Sequence, residues 1–200
     1  MSGKPAFRAR AAHAVAAICG AIVLSACSAK YAQVPARLDL QRYGRVALVT
    51  FTAESGDTAL ATFATHRFAE TVLANQYGVE VIEIGSPDTA LGSLARRGVP
   101  VAFLGELTIS EVKPGGRLSP GGASLRAGIT VEVSVKLVST ESGGTLWRSS
   151  AAADRTVGHV ALTSGRPSIS MRDRDAAGDD AVISAVSVVT TDLRPTWVRQ

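Results

Sequence analysis

Few side chains of this 200-residue chain could carry out chemistry by themselves, and the thiol of Cys27 is the clearest of them. It stands directly after Leu24-Ser25-Ala26, at the end of an apolar run that begins at Ala14. Three basic residues precede that run with no acid among them: Lys4, Arg8 and Arg10. A basic start, a short apolar middle and a small-residue end are typical of a secretory signal peptide. The pattern predicts cleavage between Ala26 and Cys27, which removes residues 1–26.

The residues around Cys27 resemble the bacterial lipobox. That resemblance implies that the thiol receives a diacylglyceryl group, that Cys27 becomes the new N-terminus, and that acyl chains such as palmitate hold the protein at a membrane. An uncleaved membrane span is the alternative, but it needs about 20 apolar residues, and residues 14–26 fall short of that length. Ser28 is not the aspartate that resembles an inner-membrane retention signal, so the expected address is the outer membrane, facing the periplasm.

Removal of the signal peptide changes the charge and the cysteine count of the protein. The formal charge of +4 falls to +1, which argues against a nucleic-acid partner. Cys19 leaves with the apolar run, so no cysteine is left for a disulfide or for a thiolate zinc site. We therefore expect no cofactor and no metal.

The remaining chain divides into a tether over residues 27–42 and a single α+β domain over residues 43–200. The domain is expected to pack helices on a mixed sheet of about five strands, in the order β-α-β-(α)-β-β-β-α. Strands are predicted at 45–51, 79–84, 101–109, 129–138 and from 145 to 149. The apolar run at 45–51 predicts a strand covered on both faces, and the glutamates within 79–84 favour a position near a sheet edge. Apolar and polar residues alternate over 129–138, and a turn at Ser142-Gly143-Gly144 leads to the returning strand. Helices are predicted at 58–75 with Asp57 or Thr58 as N-cap, between Ser86 and Gly98, and from a cap at Asp179-Asp180 to Pro195. The residues at 114–128 and 156–175, rich in glycine and interrupted by proline, are expected to form loops, with a weak extra hairpin left open for the second.

Two segments resemble a group of bacterial envelope proteins. The first is the strand at 43–51 with the polar loop around Ser55-Gly56-Asp57, and the second is the strand, glycine turn and Leu146-Trp147 within residues 135–147. The group includes the curli-secretion channel lipoprotein and the lipoprotein activators of peptidoglycan synthases. The resemblance implies a fold similar to anticodon-binding domains and a partner protein in the envelope. The curli channel builds its pore from long hairpins of about 9–11 alternating residues per strand, and neither predicted loop shows that alternation, which argues against a pore.

Two histidines of the mature chain could serve an enzyme. His66 lies on the predicted helix beside Arg67 and Glu70, and His159 lies in a predicted loop where three metal ligands at a defined spacing are not seen. No Gly-x-Ser-x-Gly elbow is present. Asp179 and Asp180 are better explained as helix caps than as an acid–base pair. These patterns predict a protein that is not an enzyme, with a small envelope hydrolase that uses His66 or His159 as the alternative.

Four residues are candidates for contact with a partner: Trp147, Trp197, Arg172 and Arg174. Core packing is the other interpretation of the two tryptophans, and a solvated charge run is the other interpretation of the arginines. The expected function is a lipid-anchored, periplasm-facing protein that binds a partner protein and supports assembly or regulation of an envelope machine. A further alternative is an oligomeric secretion-channel component, and a homo-oligomer is left open.

Overall fold

The structure, a computed structural model, describes residues 31–85, 91–119, 122–163 and 166–199 in two units. In the smaller unit, strand β1 (Tyr31–Val34) pairs antiparallel with strand β9 (Thr196–Arg199), so a strand lies within the segment predicted as a tether. The larger unit, Pro35–Pro195, holds all the other elements. The predicted signal peptide and Cys27, the predicted acylation site, lie outside the described residues.

The centre of the larger unit is a short parallel sheet. Strand β2 (Arg45–Val49) runs parallel to β4 (Glu80–Ile84) on one side and to β5 (Val101–Ser119) on the other. Four of the five residues of β2 are buried, which confirms the prediction of a strand covered on both faces. Strand β4 stands at the sheet edge, as its glutamates predicted.

Helix α1 (Thr58–Asn75) connects the central strands and begins and ends at the predicted residues. The backbone N–H of Leu60 donates to Asp57 Oδ1 at 3.0 Å, so Asp57 is the N-cap. Phe68 and Val72 on its buried side lie in the main core. A shorter helix, α2 (Leu91–Arg96), follows β4, and its predicted cap at Ser86 lies outside the described residues.

The sheet has two strands more than the predicted five: an additional edge strand, and a two-residue strand beside the third predicted one. After β5 come β6 (Gly122–Ser139), β7 (Thr145–Thr163) and the edge strand β8 (Arg166–Met171), and the two-residue strand β3 (Thr52–Ala53) also pairs with β5. The result is a mixed sheet of seven strands in the order β4-β2-β5-β6-β7-β8 with β3 beside β5. The predicted α+β class is confirmed, and the number of strands is larger than predicted.

The predicted loop at 114–128 is wrong, because most of that segment lies in strands β5 and β6. Within 156–175 the structure shows the extra hairpin that was left open, formed by the end of β7 and by β8. Antiparallel pairing continues through both segments, and backbone hydrogen bonds stabilise a ladder whatever its side chains. Pro114 lies at a register shift between β5 and β6, where a missing N–H leaves no gap in the ladder. Gly128 also belongs in a strand: a Cβ atom there would lie 2.8 Å from the carbonyl oxygen of Arg155. Glycine is therefore a requirement of strand packing at this position.

Helices cover the sheet unequally. Helices α1 and α3 (Arg174–Val189) pack on one face, called here the inner face, with the main core between. Helix α2 covers only one end of the opposite, outer face, where Leu94 packs with Ala47 and Ala102. Helix α3 begins earlier than predicted, because Asp173 accepts from the N–H of Asp175 at 3.3 Å and caps it, whereas Asp179 and Asp180 lie inside the helix.

Candidate interaction surface on the outer face

Strand β6 supplies both the core and the candidate surface, because its side chains alternate as predicted. Val131, Val133 and Val135 point inward and are buried, and Lys136, between buried neighbours, is exposed on the outer face. Ser134 and Lys136 therefore stand where helix α2 no longer covers the sheet.

A groove of about 290 Å³ lies on this part of the outer face. Its wall comes from the end of β2, from β3, from the first residues of β5 and β7, and from the last third of β6. Its polar lining residues, called here the polar groove, are Thr50, Thr52, Glu106, Ser134, Lys136 and Arg148. The groove is open, so it fits an extended or protruding segment of another molecule better than an enclosed small ligand.

The basic end of the polar groove is formed by a pair of like charges. Lys136 of β6 and Arg148 of β7 are directly opposite in the ladder, and both are exposed. Like charges at opposed positions destabilise a sheet. Neither side chain forms an ion pair with any residue that the structure describes. The arrangement leaves two cations free for an acidic group from outside the molecule.

The β2–β4 edge of the sheet shows a stabilising cross-strand pair in this protein. Arg45 and Glu80 are opposed in the β2–β4 ladder, and Arg45 Nε lies 2.7 Å from Glu80 Oε2. Opposite charges there match the usual cross-strand pattern. The pair at Lys136 and Arg148 departs from that pattern, which marks it as a candidate binding feature.

Sequence reasoning did not single out Lys136 and Arg148. The alternation over 129–138 placed Lys136 on the polar face, and the turn at Ser142-Gly143-Gly144 led to a returning strand. The signal that could have found the pair is the hairpin register, since it sets which residues are opposed. Glu106 was likewise a residue of the third predicted strand to which no role was given.

The two candidate catalytic histidines lie on different elements. His66 on α1 approaches Glu83 of β4, with Nδ1 3.8 Å from Oε2, and the two side chains are 59% and 50% exposed. His159 lies in β7 opposite Arg126 and Ser170. Within the described ranges, no group of three or more His, Cys, Asp or Glu side chains could hold a metal ion.

The predicted partner-contact residues fall in different settings. Trp147 is half-buried: its ring meets that of Phe103 edge-to-face at 6.1 Å, and its Nε1–H donates to Asp192 Oδ2 at 3.2 Å. Trp197 in β9 is 65% exposed. Arg172 forms an ion pair with Asp180, and Arg174 begins helix α3. The structure thus gives Trp147 and Arg172 partners within the chain.

The part of the chain that the structure describes contains no helix long and apolar enough to cross a membrane. No protein-family model matches the chain. No curated protein sequence matches it either.

Solved structures show a distant likeness to bacterial envelope lipoproteins. One is the PelC dodecamer from Paraburkholderia phytofirmans, at 18% identity and a TM-score of 0.47, covering 86% of this chain and 99% of that chain. Another is lipoprotein GNA1162 from Neisseria meningitidis, at 16% identity and a TM-score of 0.37, over 56% and 83% of the two chains. The LpoB C-terminal domain from Salmonella enterica has 15% identity and a TM-score of 0.31, over 60% and 84%. All three likenesses are distant, and none transfers a function to this chain.

Proposed function

We propose that the chain is a lipid-anchored protein of the bacterial envelope, facing the periplasm, that binds an acidic segment of a partner protein in its polar groove. Through that contact it supports the assembly or regulation of an envelope machine. The observation that supports partner binding is the opposed, unpaired Lys136 and Arg148. The observation that supports anchoring is the sequence ending in Leu24-Ser25-Ala26-Cys27.

The anchor and the groove act together in this proposal. Each buried CH₂ of an acyl chain contributes about 0.8 kcal/mol to membrane binding, so the two chains of a diacylglyceryl group on Cys27 hold the protein at the bilayer. Confinement near the membrane raises the effective concentration of the groove for a membrane-bound partner. A modest contact between two cations and an acidic segment is then enough for a populated complex.

The acidic nature of the partner follows from charge and exposure. The Cβ atoms of opposed residues such as Lys136 and Arg148 lie about 5 Å apart, so their exposed positive charges repel each other. A carboxylate placed between the two charges offsets that repulsion. Ser134 lines the same groove with a hydroxyl group that can donate to a backbone carbonyl or a carboxylate. The hydroxyls of Thr50 and Thr52 donate to the carbonyls of Ile84 and Gly105, at 3.2 Å and 3.4 Å, and keep lone pairs that can accept from a partner's N–H groups. Glu106 adds one negative charge, which selects against a partner whose acidic groups are spread along the whole groove.

Photo-crosslinking in intact cells tests partner binding. A photoreactive residue is placed at Ser134 in the polar groove of the full chain, and the matched control places it at Thr62, which is exposed on α1. We expect a discrete crosslinked protein from position 134 and none of the same mass from position 62. Equal crosslinking from both positions, or none from 134, would overturn the proposal.

The anchoring part has its own test. In the native chain, the N-terminal peptide should begin at an acylated Cys27 in the membrane fraction. The variant Cys27→Ala should lack the acyl mass and lose crosslinking at 134 through lower effective concentration. An unmodified Cys27 in a membrane-bound native chain would contradict this part alone and leave the groove experiment to decide the other.

A further inference from the structure

The inner face of the long strands continues beyond the helices that cover it. Ile129 on that face is 4% exposed, since helix α3 packs there, and Gly178 of α3 lies next to it. Leu125, four residues away along the same face of β6, is 49% exposed. The sheet therefore projects past its helical cover, and the projecting part is called here the distal sheet: residues 115–119, 122–127, 158–163 and 166–171.

The distal sheet has one apolar face. One row across β6, β7 and β8 consists of Leu125, Val160 and Ile169, which are opposed in turn. In the next row of the same face, Leu162 of β7 is opposite Pro167 of β8. Ile169 is 69% exposed and Leu118 is 88% exposed. The exposed large side chains of this apolar distal face are Leu118, Leu125, Val160, Leu162, Ile169 and Met171.

The opposite face of the same strands is polar and basic. Arg126 is paired with His159, which is paired with Ser170, and Arg117 is paired with Ser124. Arg166 lies at the start of β8. The four segments contain three arginines and neither Asp nor Glu. An amphipathic element with an apolar face and a basic face is attracted to anionic lipid surfaces.

The size of the apolar distal face favours lipid over a second copy of the chain. Four strands of about five residues each span roughly 19 Å by 17 Å, or about 300 Å². A stable protein interface needs about 800 Å² on each partner. An area of about 300 Å² is nevertheless comparable to the largest apolar patch of a typical monomer, and such a patch is often functional. A lipid surface covers such an area without requiring a complementary partner shape.

The length of the apolar rows sets the depth of the contact. Each strand contributes about five residues to the distal sheet, which is about half of the 9–11 residues that a strand needs to cross a membrane. We propose that the apolar distal face docks into the boundary between headgroups and acyl chains of an anionic bilayer, with its arginines near the headgroup charge. The sheet is a single layer, so the guanidinium groups on its far side stay within about one Debye length of the lipid phosphates.

This proposal goes beyond partner binding in the polar groove, and its test does not use the partner. The full chain, processed and acylated by the cell, is reconstituted into vesicles containing phosphatidylglycerol. An environment-sensitive fluorophore is attached to Ile169→Cys, with Ser168→Cys as the matched control, since these neighbours point to opposite faces of β8. As a further control, the chain without either introduced cysteine is treated with the same fluorophore, and its fluorescence gives the amount of label attached to Cys27.

We expect the emission from position 169 to shift to shorter wavelength and to be quenched by brominated acyl chains, whereas position 168 is not quenched. Replacement of Arg117, Arg126 and Arg166 by Gln should lower the ratio of inserted to free distal sheet about fivefold for each arginine. The quenching at position 169 should also be weaker in vesicles of phosphatidylcholine alone. Equal quenching at both positions, or no quenching at 169, would overturn the proposal. Energy transfer between copies in place of quenching at 169 would show self-association and overturn it as well.

Discussion

The ring of Phe51 occupies the space in which a side chain at position 105 would stand: a Cβ atom built on Gly105 would lie 2.2 Å from Phe51 Cδ1. Phe51 is buried, and its ring also packs against that of Phe68, 5.6 Å between centroids. Gly105 separates Leu104 from Glu106, both of which line the groove. The contact therefore links the main core to the strand that carries one wall of the groove.

Replacement of Gly105 by Ala should destabilise the protein through this contact. Overpacking of a buried site costs about 1–3 kcal/mol, and urea unfolding of the purified chain measures the loss in the free energy of unfolding. The matched control is Gly115→Ala on the same strand, where a Cβ atom would meet nothing within 4 Å. In a Phe51→Leu background the cost of Gly105→Ala should shrink, since the smaller side chain leaves room. Equal losses for Gly105→Ala in both backgrounds would contradict the contact.

Replacement of Gln76 by Leu should cost more, because its amide joins three parts of the chain. Gln76 is 4% exposed; its Oε1 accepts from the N–H of Leu40 at 3.0 Å, and its Nε2 donates to the carbonyls of Leu38 and Leu193 at 3.1 Å and 2.8 Å. Each buried group left without a partner costs about 1–3 kcal/mol. We expect a loss of about 3 kcal/mol or more in the free energy of unfolding.

The control for Gln76 is Gln41→Leu at an exposed position, which should change the free energy of unfolding by less than about 0.5 kcal/mol. A loss at Gln76 no larger than at Gln41 would show that the three hydrogen bonds do not hold these segments together.

The variant Trp147→Phe separates core packing from partner contact. It keeps an aromatic ring beside Phe103 but removes the Nε1–H donor to Asp192, so the expected loss is about 1–2 kcal/mol in the free energy of unfolding. If Trp147 acts in the core, crosslinking from position 134 stays unchanged in this variant. Loss of crosslinking with unchanged stability would instead make Trp147 a partner-contact residue.

Much of the fold could be predicted from the sequence where one local signal dominated. The stripe of Leu60, Ala64, Phe68 and Val72 and the cap at Asp57 defined α1, and the alternation over 129–138 defined the core part of β6. Asp173 was missed as the cap of α3, because Asp179-Asp180 offers the same chemistry and Gly178 interrupts the helical pattern. The choice between two equivalent caps depends on where the helix packs.

The distal sheet could not be predicted from composition alone. Glycine and proline favour turns locally, but here ladder pairing between sequence neighbours decides the structure. Gly116 lies on the same face as Leu125, with 3.7 Å from its Cβ position to Leu125 Cδ1, and Pro167 lies in an edge strand, where proline is tolerated. The apolar residues alternate in short pieces of different strands, so the amphipathic pattern is visible only after the strands are placed side by side.

The polar groove shows the same dependence on register. Each of Lys136 and Arg148 is an ordinary exposed cation in its own strand, and only their opposition is unusual. A conflict between local charge and stability is expected at functional sites. The repulsion between Lys136 and Arg148 therefore predicts that a single charge reversal raises the stability of the fold and weakens partner binding.

The variant Lys136→Glu should stabilise the fold. It replaces a like-charged pair by a cross-strand pair of opposite charge, and such pairs contribute about 0.2–1 kcal/mol. Urea unfolding should show a small gain in the free energy of unfolding, which falls as salt is added. The charge-preserving Lys136→Arg should show no gain. A loss of stability in Lys136→Glu would mean that Lys136 and Arg148 do not repel each other in the folded protein.

The most direct test of the account is the crosslinking yield from position 134 in cells that express the native chain, Lys136→Glu or Lys136→Arg at equal levels. If two free cations bind an acidic partner segment, replacing one by a carboxylate removes an attraction and adds a repulsion. We expect the yield to fall about tenfold or more in Lys136→Glu and to stay near the native value in Lys136→Arg. An undiminished yield in Lys136→Glu would contradict the proposal that the polar groove binds its partner through these charges.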